Sequence, residues 1–427
     1  MVMYRTVLYT LALVAAVTAF GPSLHAEVFL GGFLQGLYDA RVNENNPTAT
    51  EWPASETRLQ LRLEHFGTRG EVFGRIDFVH DGADSVEYDW ELREGYLKFR
   101  LGEKIDVKAG RQILTWGTGD LIFINDVFAK DYRSFFIGRD DQYLKAPQDA
   151  IRLEYYSDLG SLNLVVTPRF EANRLPTGRR LSYYNPIAGG IVGEDFYFDP
   201  PEPEARIDNA EIATRFQRTI SGMASALYFY RGFYKNPLGM VMTPGGPMPI
   251  YPRLNLYGAS VRGAKLGGIL WLEGGYYDSR DDQDGDNPMM PNSSIAGLIG
   301  YERQVATNLT INGQWQVDMV MDYEKYRDGF RDPGTGEIIG HVRDEVRHLL
   351  TTRIRQMLKS ELVKLEAFLF YSPSDQDGYL RLQAEYKYTD EVTLAMGANL
   401  FDGQYVETEF GQFRLNDNVY AKLTYGF

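Results

Sequence analysis

The chain of 427 residues has no cysteine, which excludes a disulfide framework and any thiolate metal site. Histidine is scarce too, at five residues, one of them (His25) close to the N-terminus. The others, His65, His80, His341 and His348, form no H-E-x-x-H pair and accompany no Gly-x-Ser-x-Gly elbow, so the chain does not read as an enzyme. Gly117-Thr118-Gly119-Asp120 lacks the Gly-Lys-Ser/Thr of a phosphate loop, and Asp281–Asp286 lacks the spacing and distant glutamate of an EF-hand. Neither a cofactor nor a metal is expected. Positive charge is in deficit, 44 Lys and Arg against 58 Asp and Glu, which argues against nucleic acid as a partner.

Long apolar runs are missing with one exception. Val7 to Phe20 is almost unbroken, preceded by Arg5 and followed by Gly21-Pro22 and the small residue Ala26. Residues 1–26 therefore read as a secretory signal peptide, too short in its apolar run for a membrane span. No later segment approaches the roughly 18 apolar residues of a transmembrane helix. The chain is expected to be exported, and to enter a membrane, if at all, without helices.

What is present instead is alternation. Arg58-Leu59-Gln60-Leu61-Arg62-Leu63-Glu64 has period two without a fault, as do Ile151–Tyr155, Leu162–Thr167 and Leu380–Tyr388. The last nine residues, VYAKLTYGF, alternate as well, with Val419, Ala421, Leu423, Tyr425 and Phe427 on one face. Such runs of about ten residues suit a tilted strand crossing a bilayer. Short Gly-, Asp- and Ser-containing turns, such as 67–70, 102–104, 217–219 and 265–267, separate them on one rim. Long stretches lie between: 41–54, 81–89, 115–148, 170–205, 235–252, 279–292, 322–344, 372–378 and 402–416. Short turns on one rim and long loops on the other define an all-β fold, a transmembrane antiparallel up-and-down β-barrel. About eighteen strands are expected, sixteen being the alternative, in one barrel domain over 27–427 with no N-terminal plug. Twenty-nine Tyr and 43 Gly fit the aromatic girdles and strand glycines of such a barrel.

If the apolar alternates face lipid, the polar ones face the lumen. That puts Arg58, Arg62, Arg75, Lys98, Arg152, Arg169, Arg215, Arg353, Arg355, Arg381, Lys387 and Lys422 inside. With them go Glu64, Asp77, Glu94, Glu154, Glu211, Glu273, Glu366 and Glu385. The stretch Thr115–Gln148 is longer than a connection requires and too apolar for disorder. It is expected to fold into the lumen, its aromatics (Trp116 among them) against the wall. Around the narrowed path, Arg133, Arg139 and Lys145 would confront Asp120, Asp126, Asp131, Asp140 and Asp141. A lid across the outer mouth is the alternative placement.

The signal peptide, the strand rhythm and the terminal Phe427 resemble Gram-negative outer-membrane porins. That resemblance implies an outer-membrane location, lipid and lipopolysaccharide as surroundings, and recognition of Tyr425 and Phe427 by the barrel-assembly machinery. More narrowly, Ala109-Gly110-Arg111-Gln112-Ile113-Leu114-Thr115-Trp116-Gly117 resembles a GRQ…WG motif. It belongs to a porin-like family of unknown function, often encoded beside exporters of lipid or other hydrophobes and distantly like alginate-export barrels. The function expected is a passive channel for small hydrophilic solutes. The alternative is a conduit or docking barrel for lipid or other apolar cargo, and homo-oligomerisation stays open.

Overall fold

The computed structural model describes residues 27–427 apart from 49, 68, 69, 198 and 333. The expected signal peptide, 1–26, lies outside the described residues. Eighteen strands form one sheet. They begin with β1 Glu27–Arg41, β2 Ala54–Gly67, β3 Gly70–Asp81, β4 Tyr88–Leu101, β5 Ile105–Ile113 and β6 Pro147–Ser157. Next come β7 Gly160–Thr167, β8 Glu211–Ile220, β9 Met223–Phe233, β10 Arg253–Lys265, β11 Gly268–Ser279 and β12 Ser294–Ala306. The last are β13 Leu309–Val320, β14 Val346–Leu358, β15 Val363–Ser372, β16 Asp377–Lys387, β17 Val392–Gly403 and β18 Asn418–Gly426. Each pairs antiparallel with its neighbour in chain order, and β18 pairs back onto β1 from Phe33↔Gly426 to Arg41↔Asn418, so the sheet is closed. Outside the barrel, two small hairpins (Tyr183–Asn185 with Gly190–Val192, Gly239–Thr243 with Gly246–Ile250) stand in the long loops.

The turn chemistry follows from residue type. At Leu266-Gly267 both central residues have positive φ, 55° and 74°, the geometry that lets a two-residue hairpin follow the twist of its strands. The turn expected at 217–219 falls instead at Ser221-Gly222, φ 50° and 77°. Gln217, Arg218 and Thr219 extend β8, because only Gly222 takes the left-handed conformation without strain.

The outward positions are apolar and bare. Leu382 and Leu423 are 38% and 52% exposed, as a surface bathed in hydrocarbon requires. The inward positions are not uniformly polar. Toward the short-turn rim they are charged as expected, but Trp271, Phe368, Phe370, Tyr379, Phe401 and Tyr420 are buried on the inner face of β11 and β15–β18. Arg169 lies beyond the end of β7, paired with Glu202 at 3.5 Å in the outer loop rather than on the wall.

Phe427 seals the seam. Its N–H donates to the Gly32 carbonyl at 3.0 Å, and its carbonyl accepts from the Gly32 N–H at 2.9 Å. A Cβ on Gly32 would stand 2.0 Å from the Gln60 carbonyl oxygen and 3.1 Å from the Phe427 ring, so the close approach needs glycine. Deleting Phe427 is expected to lower the heat-modifiable, folded fraction in outer membranes; wild-type levels would refute its sealing role.

The register makes a second prediction. Leu382, mid-strand in β16, should cost about 2–4 kcal/mol when replaced by Arg. Leu394, third residue of β17, lies nearer the short-turn interface than its sequence context suggests, and the same change there should cost about 0–1 kcal/mol. Gln383→Arg, on the water side, should be close to neutral. Reversible unfolding from vesicles measures all three, and equal costs at 382 and 383 would place the register one residue off.

Candidate functional site: the loop across the lumen

Residues 114–146 join β5 to β6 and run through the barrel interior. The launch of this loop is built by the residues of the GRQ…WG stretch. Gly110 has φ +129°, and a Cβ there would lie 2.3 Å from the Gly95 carbonyl oxygen of β4. Arg111 donates to the Leu92 carbonyl at 2.9 Å and reaches Asp149 and Glu171, each at 3.2 Å. Gln112 is fully buried and donates to the Ala150 carbonyl at 2.9 Å. Trp116 is buried edge-on to Phe128 at 5.0 Å, with the Arg215 guanidinium 5.4 Å from its ring. Gly117, at φ +81°, leaves the space that Glu273 occupies.

Glu273 on β11 then fixes the first turn of the loop. Its carboxylate accepts from the Thr118 N–H (2.5 Å) and hydroxyl (2.8 Å), the Gly119 N–H (3.2 Å), and the Asn125 N–H (2.8 Å) and amide (3.0 Å). Gln314 on β13 exchanges two bonds with the Asp120 backbone, at 2.7 and 2.8 Å. The Asp120 carboxylate meets Arg353 of β14 at 3.1 Å and the Asn312 amide at 3.2 Å.

The middle of the loop is a core. Ile122, Ile124, Phe135, Phe136, Ile137 and Leu144 pack against the wall aromatics, so apolar contact joins the loop to this part of the wall. Asp126 stays within the loop, paired with Lys130 at 3.0 Å and accepting from Thr115 at 2.8 Å. Asp131 caps the short helix Tyr132–Phe135, accepting from the Ser134 N–H at 2.9 Å, and meets Arg174 at 3.4 Å. Arg133 faces Arg139, Arg174 and Arg180 as well as Asp131, and has no ion pair among the described residues.

The tip is charged and held by the wall. Arg139 donates to Glu56 at 2.8 Å, and Asp140 joins Lys422 of β18 and Gln35 of β1 (3.2 Å), clasping the closing seam from inside. Asp141 takes Arg381 at 2.6 Å and Arg353 at 3.3 Å. The Tyr143 hydroxyl donates to Asp77 at 2.9 Å beneath Arg58, itself 2.5 Å from Asp77. The Lys145 carbonyl accepts from Arg93 at 2.9 Å, while its side chain is half-buried. The loop's charges thus pair mostly with the wall, not with one another across a gap. Below the loop, Arg62–Glu64 (3.2 Å), Arg152–Glu154 (2.6 Å) and Arg355–Glu366 (2.9 Å) line the short-turn half, each base answered by an acid.

Asp120 and Asp141 share Arg353 but titrate apart. Burial pushes the Asp120 carboxyl up, only partly offset by Arg353 and reinforced by the nearby charges of Asp141 and Glu366. At Asp141 burial acts the same way, but Arg381 and Arg353 outweigh it and hold the carboxyl below the usual aspartate range. As pH falls, Asp120 therefore takes up its proton first, which relieves the penalty of its buried charge, while Asp141 stays ionised.

The wall aromatics and Glu273's anchoring role were not foreseen from the sequence. The run Phe368-Leu369-Phe370-Tyr371 carried the signal for the first, since an unbroken apolar strand is one buried on both faces. Nothing in the spacing marks Glu273 apart from other inward acids.

No family model matches the chain, and no curated protein matches it in sequence. Among solved structures it is similar to OccAB4 of Acinetobacter baumannii, with TM-score 0.56 and 12% identity over 94% of this chain and 98% of that one. It is also similar to OccAB3 of the same organism, with TM-score 0.53 and 10% identity over 94% and 99%. A porin of Rhodopseudomonas blastica superposes more loosely, with TM-score 0.41 and 9% identity over 94% and 100%. The closed 18-stranded wall and its bare apolar exterior define the class: a transmembrane β-barrel of porin fold, the architecture of Gram-negative outer membranes.

Two outcomes follow for the loop. Glu273→Ala should strip five acceptor contacts from residues 118–125 and raise amide hydrogen exchange there at least tenfold, with the barrel strands unchanged; equal protection would mean the loop is held elsewhere. If the barrel conducts, lowering the pH should shift ion selectivity toward anions as Asp120, its carboxyl raised by burial, protonates ahead of Asp141, and Asp120→Asn should abolish the drift. A drift that survives in Asp120→Asn would assign it to another group.

Proposed function

We propose that this chain is an outer-membrane porin, a passive channel for small hydrophilic solutes whose path is narrowed by the inward-folded loop 114–146. The observation that carries the reading is the charged cluster of Asp120, Asp141, Arg353 and Arg381 where loop meets wall. Opposed charges in a low-dielectric passage set a strong local field, which orders polar solutes and selects ions. Lipid and lipopolysaccharide surround the barrel in this reading, and the assembly machinery inserts it through Tyr425 and Phe427.

A second reading, a conduit for apolar cargo, is favoured by one feature. An aromatic series runs from Phe413 to Phe136 (4.9 Å), Phe401 (5.3 Å), Tyr379 (4.7 Å), Phe370 (5.7 Å) and Phe368 (4.5 Å), ending under Arg353. Such a seam would pass an apolar body more readily than a hydrated ion.

Planar-bilayer recording separates them. Replacing residues 121–137 by a Gly-Ser linker keeps the contacts of Glu273 to Thr118 and Gly119, the Gln314 pair and the tip contacts, while removing the apolar middle together with Asn125. In heat-modifiable, folded protein, single-channel conductance should rise several-fold and selectivity weaken. Unchanged conductance would place the loop outside the path, and silence in both forms would favour the apolar-cargo reading.

A further inference from the structure

On the lipid-facing side of β9, β10 and β11 the side chains change character with height. Leu227, Ala259 and Gly274 stand directly opposite one another across the three strands. The next row toward the long-loop rim is Phe229, Tyr257 and Tyr276, with ring centroids 5.3 and 6.4 Å apart along it. Two residues further, about 6.7 Å along each strand, the row is Arg231, Asn255 and Asp278. Above it come Arg253, the first residue of β10, and Arg280, just past the end of β11. Their backbones are joined by the Arg280 N–H, which donates to the Arg253 carbonyl at 3.1 Å. Apolar, then aromatic, then basic is the order of a membrane interface, where the rings lie at headgroup depth. The arginines therefore meet the polar heads of the outer leaflet.

The acids beside them are engaged, and two of the arginines are not. Asp281 accepts from the Arg253 N–H at 2.7 Å and from its guanidinium at 2.6 Å. Asp278 accepts from the Asn255 amide at 2.9 Å. Arg231 is exposed and Arg280 half-buried, and neither guanidinium has a hydrogen bond or ion pair among the described residues. Partial burial, and then the charges of Arg231 and Arg253, hold the Arg280 pKa below its ordinary value against the smaller pull of Asp281 and Asp278. Positive charge is thus gathered and left unanswered on the lipid side of a chain that is acidic overall. An anion seated between the guanidiniums would relieve their repulsion.

We propose that Arg231 and Arg280, with Arg253 behind them, bind a phosphate of a lipopolysaccharide molecule in the outer leaflet, its acyl chains lying along the apolar row below. A guanidinium meets phosphate through two parallel N–H···O bonds. A phosphomonoester carries roughly 1.5 to 2 negative charges at pH 7, which two free guanidiniums match. A phosphodiester headgroup carries a single charge and leaves one arginine unanswered. The inference rests on the outer-membrane location and not on what crosses the lumen.

The test is native mass spectrometry of the full, folded barrel in detergent, titrated with bisphosphorylated lipid A. EDTA is present, so no divalent ion can bridge Asp278 or Asp281 to phosphate. One retained lipid A per barrel is expected, weakened at least tenfold by Arg231→Gln with Arg280→Gln. Lys265→Gln, at the short-turn end of β10, should leave it unchanged. Dephosphorylated lipid A and phosphatidylglycerol should each bind at least tenfold more weakly, and millimolar inorganic phosphate should not displace lipid A. Heat modifiability confirms that each variant is folded. Undiminished binding by the double variant, an equal loss in Lys265→Gln, or equal affinity for dephosphorylated lipid A or phosphatidylglycerol would each overturn the proposal. Displacement by inorganic phosphate would overturn it too, by assigning the site to the free ion. Conductance plays no part in the readout, so failure here leaves the channel reading to be judged separately.

Discussion

In hydrocarbon no water waits to satisfy an unpaired backbone amide, so a membrane-crossing sheet must have no edge. Everything else in this structure is arranged around that requirement. The first and last strands meet along β1 and β18, and the last residue still pairs, with Gly32. The seam is also held from within, where Asp140 at the loop tip joins Gln35 on one strand and Lys422 on the other. The loop inside the barrel thus takes part in the wall's closure.

Closure on eighteen strands creates an interior too wide for wall side chains alone to fill. The chain sends 33 residues between β5 and β6 into it, held by two kinds of contact. Part of the loop meets the wall through aromatic rings, where dispersion and burial hold them together. Its charged groups meet the wall through guanidinium–carboxylate pairs. Such pairs do not add much net stability when buried, but removing one partner leaves an uncompensated charge, which makes the loop's seat specific. Arg353, touching both Asp120 and Asp141, is where the two regimes join.

The barrel was legible in the sequence because period two is a strong signal and the alternation of short and long connections is rare outside this architecture. The short turns expected at 102–104 and 265–267 fall where the chain turns; the error at 217–219 arose because polar residues at the end of β8 read like a turn. The lumen loop was legible for a different reason, since 115–148 was both too long and too apolar to be left outside. What it touches was not legible. Pairing of Asp141 with Arg381 joins residues 240 apart, and of Asp140 with Lys422 residues 282 apart, so only the closed barrel brings them together. The inward aromatics broke the simple rule that polar alternates face the lumen, because there the inner face meets the apolar residues of the loop.

The central claim is that the tip of this loop lies on the permeation path. Gln142 is exposed on the tip, and with no cysteine in the chain a single Gln142→Cys gives a silent background for thiol chemistry. During single-channel recording, a charged methanethiosulfonate added from the short-turn side should reduce the current in one discrete step per barrel and leave the wild-type protein unaffected. A current unchanged after complete labelling, verified by mass, would contradict the account.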